Sequence, residues 1–112
     1  MARRCWHLIH EADDALTLTR RLPVRFDLAV VGHLPEASRA RVAHRLRQDL
    51  WRALRTLRGF APVVRIWREA DGLRVKAGGA VVGPFERANA EARVAALFED
   101  RARVARWTGS GR

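Results

Sequence analysis

Apolar and polar residues alternate with a period of two in several short segments of the chain. This alternation predicts a half-buried strand at 24–30 and two more at 63–68 and 73–77, joined by a tight Asp-Gly turn. Shorter apolar runs at 6–9 and 16–19 flank a polar turn, and they predict an N-terminal hairpin. The chain is therefore expected to form a mostly antiparallel sheet.

Two longer segments repeat their apolar residues at spacings of three and four, which is the pattern of an amphipathic helix. The first is predicted to run from Pro35 to Arg58, with proline at its first position and Gly59 ending it in a left-handed conformation. The second is predicted to run from Gly83 to Trp107. Each helix has one apolar stripe that requires a covering surface.

Glycines mark the predicted joints between these elements, with a turn at 32–34 and a bulge or kink at 78–79. The predicted order is β-β-β-α-β-β-α. It favours an α+β two-layer sandwich of the ferredoxin-like kind, with both helices on one face of the sheet. We expect one domain over 1–112, in which 1–22 form the hairpin region and 108–112 a frayed tail.

The charge of the chain is strongly positive and unevenly distributed. The formal net charge is +10, and residues 1–34 carry five arginines against four acids, whereas 35–112 carry seventeen basic residues against eight acids. Such an excess favours an anionic partner: nucleic acid, an acidic membrane surface or an acidic protein. Cys5 is the only cysteine, which excludes an internal disulfide, and the absence of a secretory or membrane-spanning segment leads us to expect a cytoplasmic protein.

Four arginines of the first predicted helix recur along one stripe, opposite the apolar stripe that includes Leu46 and Leu50. They are Arg41, Arg45, Arg52 and Arg55, with Gln48 among them. Four like charges on one face repel each other unless an anion lies against them, so this stripe is the first candidate phosphate-binding surface. Trp51 falls at its border, where it could complete the core rim or contact a partner or a second copy.

The sheet face turned away from the helices is the second candidate surface. Strand alternation places six residues there: Arg25, Asp27, Arg65, Trp67, Arg74 and Lys76. A tryptophan among cations can stack on bases while the cations neutralise phosphates. The alternative is that Trp67 covers an edge or packs under the N-terminal hairpin.

The sequence has no motif that specifies catalysis, a metal or a cofactor. His7 and His10 would point to opposite sides of a strand, and the His-x-x-His-Glu order does not match a zinc protease helix. No glycine pattern matches a phosphate-binding loop. We therefore expect no enzyme activity and no cofactor.

One part of the chain resembles a known family. The strand 73–76, the sequence Val82-Gly83-Pro84-Phe85 and the helical Ala90-Glu91-Ala92 resemble the second half of SPOR domains. The resemblance covers at most 24–98. It implies a ferredoxin-like fold that binds the glycan strands of septal peptidoglycan on its sheet face.

The sequence thus supports one main hypothesis, that of a non-catalytic domain that binds a polyanion, with nucleic acid as the favoured ligand. One alternative is a protein-interaction subunit of a phage-like or nucleoprotein assembly that binds an acidic partner. Another is a SPOR-like glycan-binding module. A solvated basic exterior without a specific ligand is the remaining interpretation of the charge.

Overall fold

The computed structural model describes residues 6–109, which form one five-stranded antiparallel sheet and three helices. The strands are β1 (His7–His10), β2 (Leu16–Thr19), β3 (Leu28–Leu34), β4 (Ala61–Glu69) and β5 (Gly72–Ala80). The helices are α1 (Arg39–Leu54), α2 (Arg87–Glu99) and α3 (Arg101–Thr108). The sheet order is β1-β2-β4-β5-β3, so the predicted α+β sandwich is confirmed.

The order of these elements places a helix-covered core on one side of the sheet. β3 and β4 both run antiparallel to β5, which lies between them, and α1 connects β3 to β4. This is the β-α-β-β-α part of a ferredoxin-like unit; in the described chain, α3 follows α2 and a hairpin of β1 and β2 extends the sheet beyond β4. The core includes Leu46 and Leu50 of α1, both fully buried, as the predicted apolar stripe requires.

The first helix is shorter than predicted at both ends. Ser38 precedes it with extended backbone angles, and its side chain accepts a hydrogen bond from the Arg41 N–H, so the helix begins after Ser38 and not at Pro35. The helix ends at Leu54, and residues 55–59 form turns. Gly59 does have the predicted left-handed conformation, but it lies in these turns and not directly after the helix.

The strand predicted at 24–30 is displaced toward the C-terminus, and its predicted terminal turn is wrong. β3 pairs continuously with β5 from Leu28 opposite Gly79 to Leu34 opposite Leu73. Gly32 is a strand residue over which the Phe98 ring of α2 packs; a Cβ there would lie 2.6 Å from a ring carbon. The glycine therefore serves the close approach of helix and sheet, which local sequence does not reveal.

Of the two alternatives predicted at 78–79, the bulge is wrong, because β5 keeps a regular register through both glycines. Gly78 lies opposite Ala29 on one side and Val63 on the other. At each glycine a Cβ would collide with backbone atoms of a neighbouring segment, so these glycines allow close backbone packing at the end of the sheet.

The second predicted helix is two helices. Asp100 interrupts it with a ψ of 103°, and its carboxylate accepts a hydrogen bond from the Arg103 N–H, as the N-cap of α3. The interruption redirects α3 so that Trp107 is fully buried, with its ring edge-on to Phe98. Of the predicted tail, Thr108 ends α3 and Gly109 follows it in a left-handed conformation; 110–112 lie outside the described residues.

Candidate nucleic-acid interface

The arginine stripe of α1 lies on the solvent side of the helix, opposite the buried leucines. Arg41, Arg52 and Arg55 are exposed and Arg45 is half-buried. Their surroundings differ, however. Arg41 and Arg45 face α3, Arg52 lies 3.8 Å from the carboxylate of Asp49, and Arg55 is the residue that follows the last turn.

An open groove of ≈ 960 Å³ separates α1 from α3. Its residues come from both helices: Arg41, Arg45, Gln48, Ala102, Ala105, Arg106 and Gly109. The Arg45 Nη1 donates to the main-chain oxygen of Arg106 at 2.6 Å, and a Cβ at Gly109 would lie 3.1 Å from the Arg41 Nη1. The groove therefore has three guanidinium groups and no carboxylate among its lining residues.

One buried acid of α1 holds α3 in place on the other side of this groove. Asp49 of α1 is only 1% exposed, and its Oδ2 accepts hydrogen bonds from the Trp107 Nε1, at 2.7 Å, and from the Arg106 Nη2. Its Oδ1 lies 3.2 Å from the Arg103 Nη1. A buried carboxylate requires such partners, because removing a charge from water is costly. Asp49 thereby attaches α3 to α1. It neutralises part of the charge of Arg103 and Arg106, and it is not itself a lining residue of the groove.

Asp49 was not identified from the sequence. The available signal was its position beside the apolar stripe of α1, where a carboxylate must find buried donors. Those donors, Arg103, Arg106 and the indole of Trp107, lie more than fifty residues away along the chain. The spacing within α1 gives no information about them.

The sheet face opposite the helices brings together four of the six residues in the second predicted set. Arg65 lies opposite Lys76 and Trp67 opposite Arg74 in the register of β4 and β5, so all four share one face. The Arg74 guanidinium lies 4.0 Å from the centre of a Trp67 ring. Phe26, which the sequence did not single out, lies under two cations of this face, with Lys76 at 4.4 Å and Arg65 at 5.5 Å from its ring centre.

Acidic side chains neutralise much of this second surface. Glu11 lies 3.3 Å from the Arg65 Nη2, and Glu69 accepts from the Arg74 Nε at 2.9 Å. The indole of Trp67 donates to Asp13 at 3.0 Å. This hydrogen bond is the main reason why the pKa of Asp13 is lowered from its ordinary value of 3.8. The contact ties Trp67 to the turn of the N-terminal hairpin, in agreement with the packing alternative.

The alternation predicted that Arg25 and Asp27 would be strand residues on that face. This prediction is wrong, because β3 begins only at Leu28. They form an ion pair of 2.8 Å beside the end of β5, where Asp27 also accepts from the Val81 N–H. The Arg25 hydrogen bond is the largest cause of the lowered pKa of Asp27, and the Val81 N–H is the second. The pair closes the end of the sheet.

Residues 6–109 contain no group of three histidine, cysteine, aspartate or glutamate side chains placed to hold a metal ion. Within the same residues, no helix is both long enough and apolar enough to cross a bilayer. Comparison with known proteins gives no relative to transfer a role from. No protein-family model, curated protein or solved structure matches this chain.

Proposed function

We propose that this chain is a non-catalytic domain that binds a polyanion, and that the polyanion is nucleic acid. The observation that supports this most directly is the groove between α1 and α3, where Arg41, Arg45 and Arg106 converge without a carboxylate among the lining residues. Guanidinium groups bind phosphate oxygens with two parallel hydrogen bonds, and each contact releases condensed counterions.

The distribution of acids favours the groove over the sheet face. On the sheet face, Arg65 and Arg74 each have a glutamate partner. On the groove side, the buried Asp49 pairs with Arg106 from beneath the surface, whereas no ion pair among the described residues involves Arg41 or Arg45. An approaching phosphate therefore meets a net positive field at the groove, and a nearly balanced one on the sheet.

The test is a salt titration of binding to a short mixed-sequence duplex. We expect wild-type affinity to fall steeply as salt rises, and the double variant Arg41→Gln with Arg45→Gln to bind more weakly. The slope of log K against log salt should decrease by about 2, roughly one for each lost phosphate contact. The matched control is Arg58→Gln with Arg87→Gln, which removes the same charge from exposed positions outside the groove.

Two results would contradict the proposal. If the groove variant binds the duplex as tightly as the wild type, the groove is not the site. If both double variants reduce a weak affinity equally, the chain responds only to net charge, as expected of a domain whose partner is an acidic protein. Thermal melting should show that both variants remain folded. Arg41, Arg58 and Arg87 are exposed charges that contribute little to stability, and the half-buried Arg45 loses one hydrogen bond, worth about 0.5–1.5 kcal/mol.

A further inference from the structure

A second cavity, of ≈ 480 Å³, lies on another side of α1 and belongs to neither surface discussed above. Three aromatic rings line it, those of Trp6, Trp51 and Phe60, and α1, β4 and the segment after β2 meet there. Its size is in the range of cavities that hold small ligands, about 300–1,000 Å³. All of its charged lining residues are arginines: Arg20, Arg21 and Arg47.

The aromatic part of this pocket presents one open ring on a rigid support. Trp51 is 46% exposed, whereas Phe60 is buried in the core. The two rings are nearly parallel, at 9°, with centres 6.4 Å apart. Trp51 thus packs against a core ring, remains 46% exposed and lines the pocket, so a planar group can stack on it without displacing core residues.

The cationic part surrounds the same space. The Arg47 guanidinium lies over a ring of Trp6 at 4.5 Å, and Arg20 lies 5.8 Å from a ring of that residue. The main-chain oxygen of Arg21 accepts a hydrogen bond from the Thr19 hydroxyl at 3.0 Å, which fixes the chain where β2 ends. Arg20 and Arg21 are both exposed at the pocket, so their charges are available to an anion there.

We propose that this pocket binds one nucleotide, with its base stacked on Trp51 and its phosphate paired with Arg20 and Arg21. An open aromatic ring beside guanidinium groups matches the two parts of a nucleotide, a planar base and a phosphate. The base must be unpaired, because a base inside a duplex has both faces covered. The nucleotide is therefore either free or part of a single strand, and the single-strand case rests on the proposed nucleic-acid function.

The position of the pocket on α1 relates it to the groove. At about 100° per residue, Arg47 and Trp51 lie roughly a quarter turn around the helix from the arginine stripe. Arg52, next to Trp51, belongs to that stripe. A single strand held in the pocket can therefore continue across the exposed ridge of α1 toward Arg41 and Arg45, whereas a duplex can use only the groove.

The experiment compares a short single strand with an abasic oligonucleotide of the same length, which keeps every phosphate but has no bases. The wild type should bind the strand with bases more tightly. Trp51→Ala should reduce that advantage by about 5- to 150-fold, the value of one stacked base, and Trp51→Phe should retain most of it. Phe85→Ala is the matched control, since it removes a partly exposed aromatic ring that lies outside the pocket, the groove and the sheet face. Adenosine monophosphate should compete with the strand, and ribose 5-phosphate should compete less.

A second set of variants distinguishes binding at this pocket from binding at the groove. Arg20→Gln with Arg21→Gln should weaken competition by the mononucleotide and leave duplex binding nearly unchanged, which also tests the pocket if Trp51→Ala does not fold. If the mononucleotide binds but no oligonucleotide does, the pocket is supported, its ligand is a free nucleotide, and the proposed function fails. The inference is overturned if the strand and its abasic counterpart bind equally, or if Trp51→Ala and Phe85→Ala reduce the difference alike.

Discussion

Replacing Asp49 should destabilise the fold more than any other change of a single charge that the structure suggests. Asp49 is 1% exposed, and it accepts the indole N–H of Trp107, which is fully buried. In Asp49→Ala that donor loses its partner away from water, at a cost of about 1–3 kcal/mol. Water cannot offset this cost, because it does not reach the buried indole N–H to replace the lost acceptor.

The ion pairs of Asp49 with Arg103 and Arg106 add a smaller amount, and the 3.8 Å pair with Arg52, whose side chain is 70% exposed, adds the least. The side chains of Arg103 and Arg106 are 38% and 53% exposed, so water can solvate them once the carboxylate is gone. Each pair then counts as a partly exposed one, worth about 0.5–1 kcal/mol. The total for Asp49→Ala is about 2–5 kcal/mol. Asp49→Asn keeps an oxygen that can accept the indole N–H, so it should cost only about 1–2 kcal/mol.

Urea denaturation followed by circular dichroism measures the free energy of unfolding of both variants, and thermal melting measures their Tm. At about 4 °C per kcal/mol for a domain of this size, Tm should fall by about 8–20 °C for Asp49→Ala and by about 4–8 °C for Asp49→Asn. Asp71→Asn, the same change at an exposed turn residue, should stay within about 0.5 kcal/mol of wild type. If Asp49→Ala is as stable as that control, or more stable than Asp49→Asn, the reasoning about the buried indole is wrong.

Three further predictions concern the core, the sheet and the open face. Leu50→Ala should cost about 2–5 kcal/mol in urea denaturation, because Leu50 is fully buried; a value near zero would mean that α1 is rotated relative to the core. Gly32→Ala should cost about 1–3 kcal/mol by the same assay, because its Cβ would lie 2.6 Å from the Phe98 ring, and Gly32→Ala combined with Phe98→Leu should recover part of the loss. Trp67→Phe should raise the pKa of Asp13 toward 3.8 in an NMR titration, since the indole hydrogen bond is the largest cause of the lowered pKa. A lowered pKa means that the Asp13 carboxylate favours folding above its ordinary pKa and loses this effect as pH falls through the folded value, and an unchanged titration in the variant would refute the assignment.

The sequence predicted those features that depend on local periodicity. The apolar stripe of α1 correctly placed Leu46 and Leu50 in the core, and strand alternation placed Trp67 and Arg74 on the open face. The errors occurred where a distant residue decides the local structure. Gly32 was predicted to be a turn residue. A glycine is needed there because the Phe98 ring packs over the strand, and that contact is distant in the sequence.

In the candidate site, too, local periodicity predicted some features, and distant residues decided the others. The exposure of the arginine stripe could be predicted from helix geometry, since it lies opposite an apolar stripe. Which of its arginines face a groove could not, because α3 forms the other side and its separation from α2 depends on the cap at Asp100. Asp49 and the pocket beside Trp51 likewise depend on residues brought together only by the folded chain.

The strand order also determines when each strand can find its partner during synthesis. Among the described strands, β3 pairs with β5 alone, and β5 is made only after α1 and β4. At about 5–20 residues per second, a ribosome needs on the order of seconds to deliver β5 after β3. β4 and β5 are consecutive and can close as a hairpin within about 1–10 μs. The nascent chain therefore carries β3 unpaired for most of this interval. Attachment of β3 to β5 and pairing of β2 with β4 are both non-local steps, and they are expected to limit the folding rate.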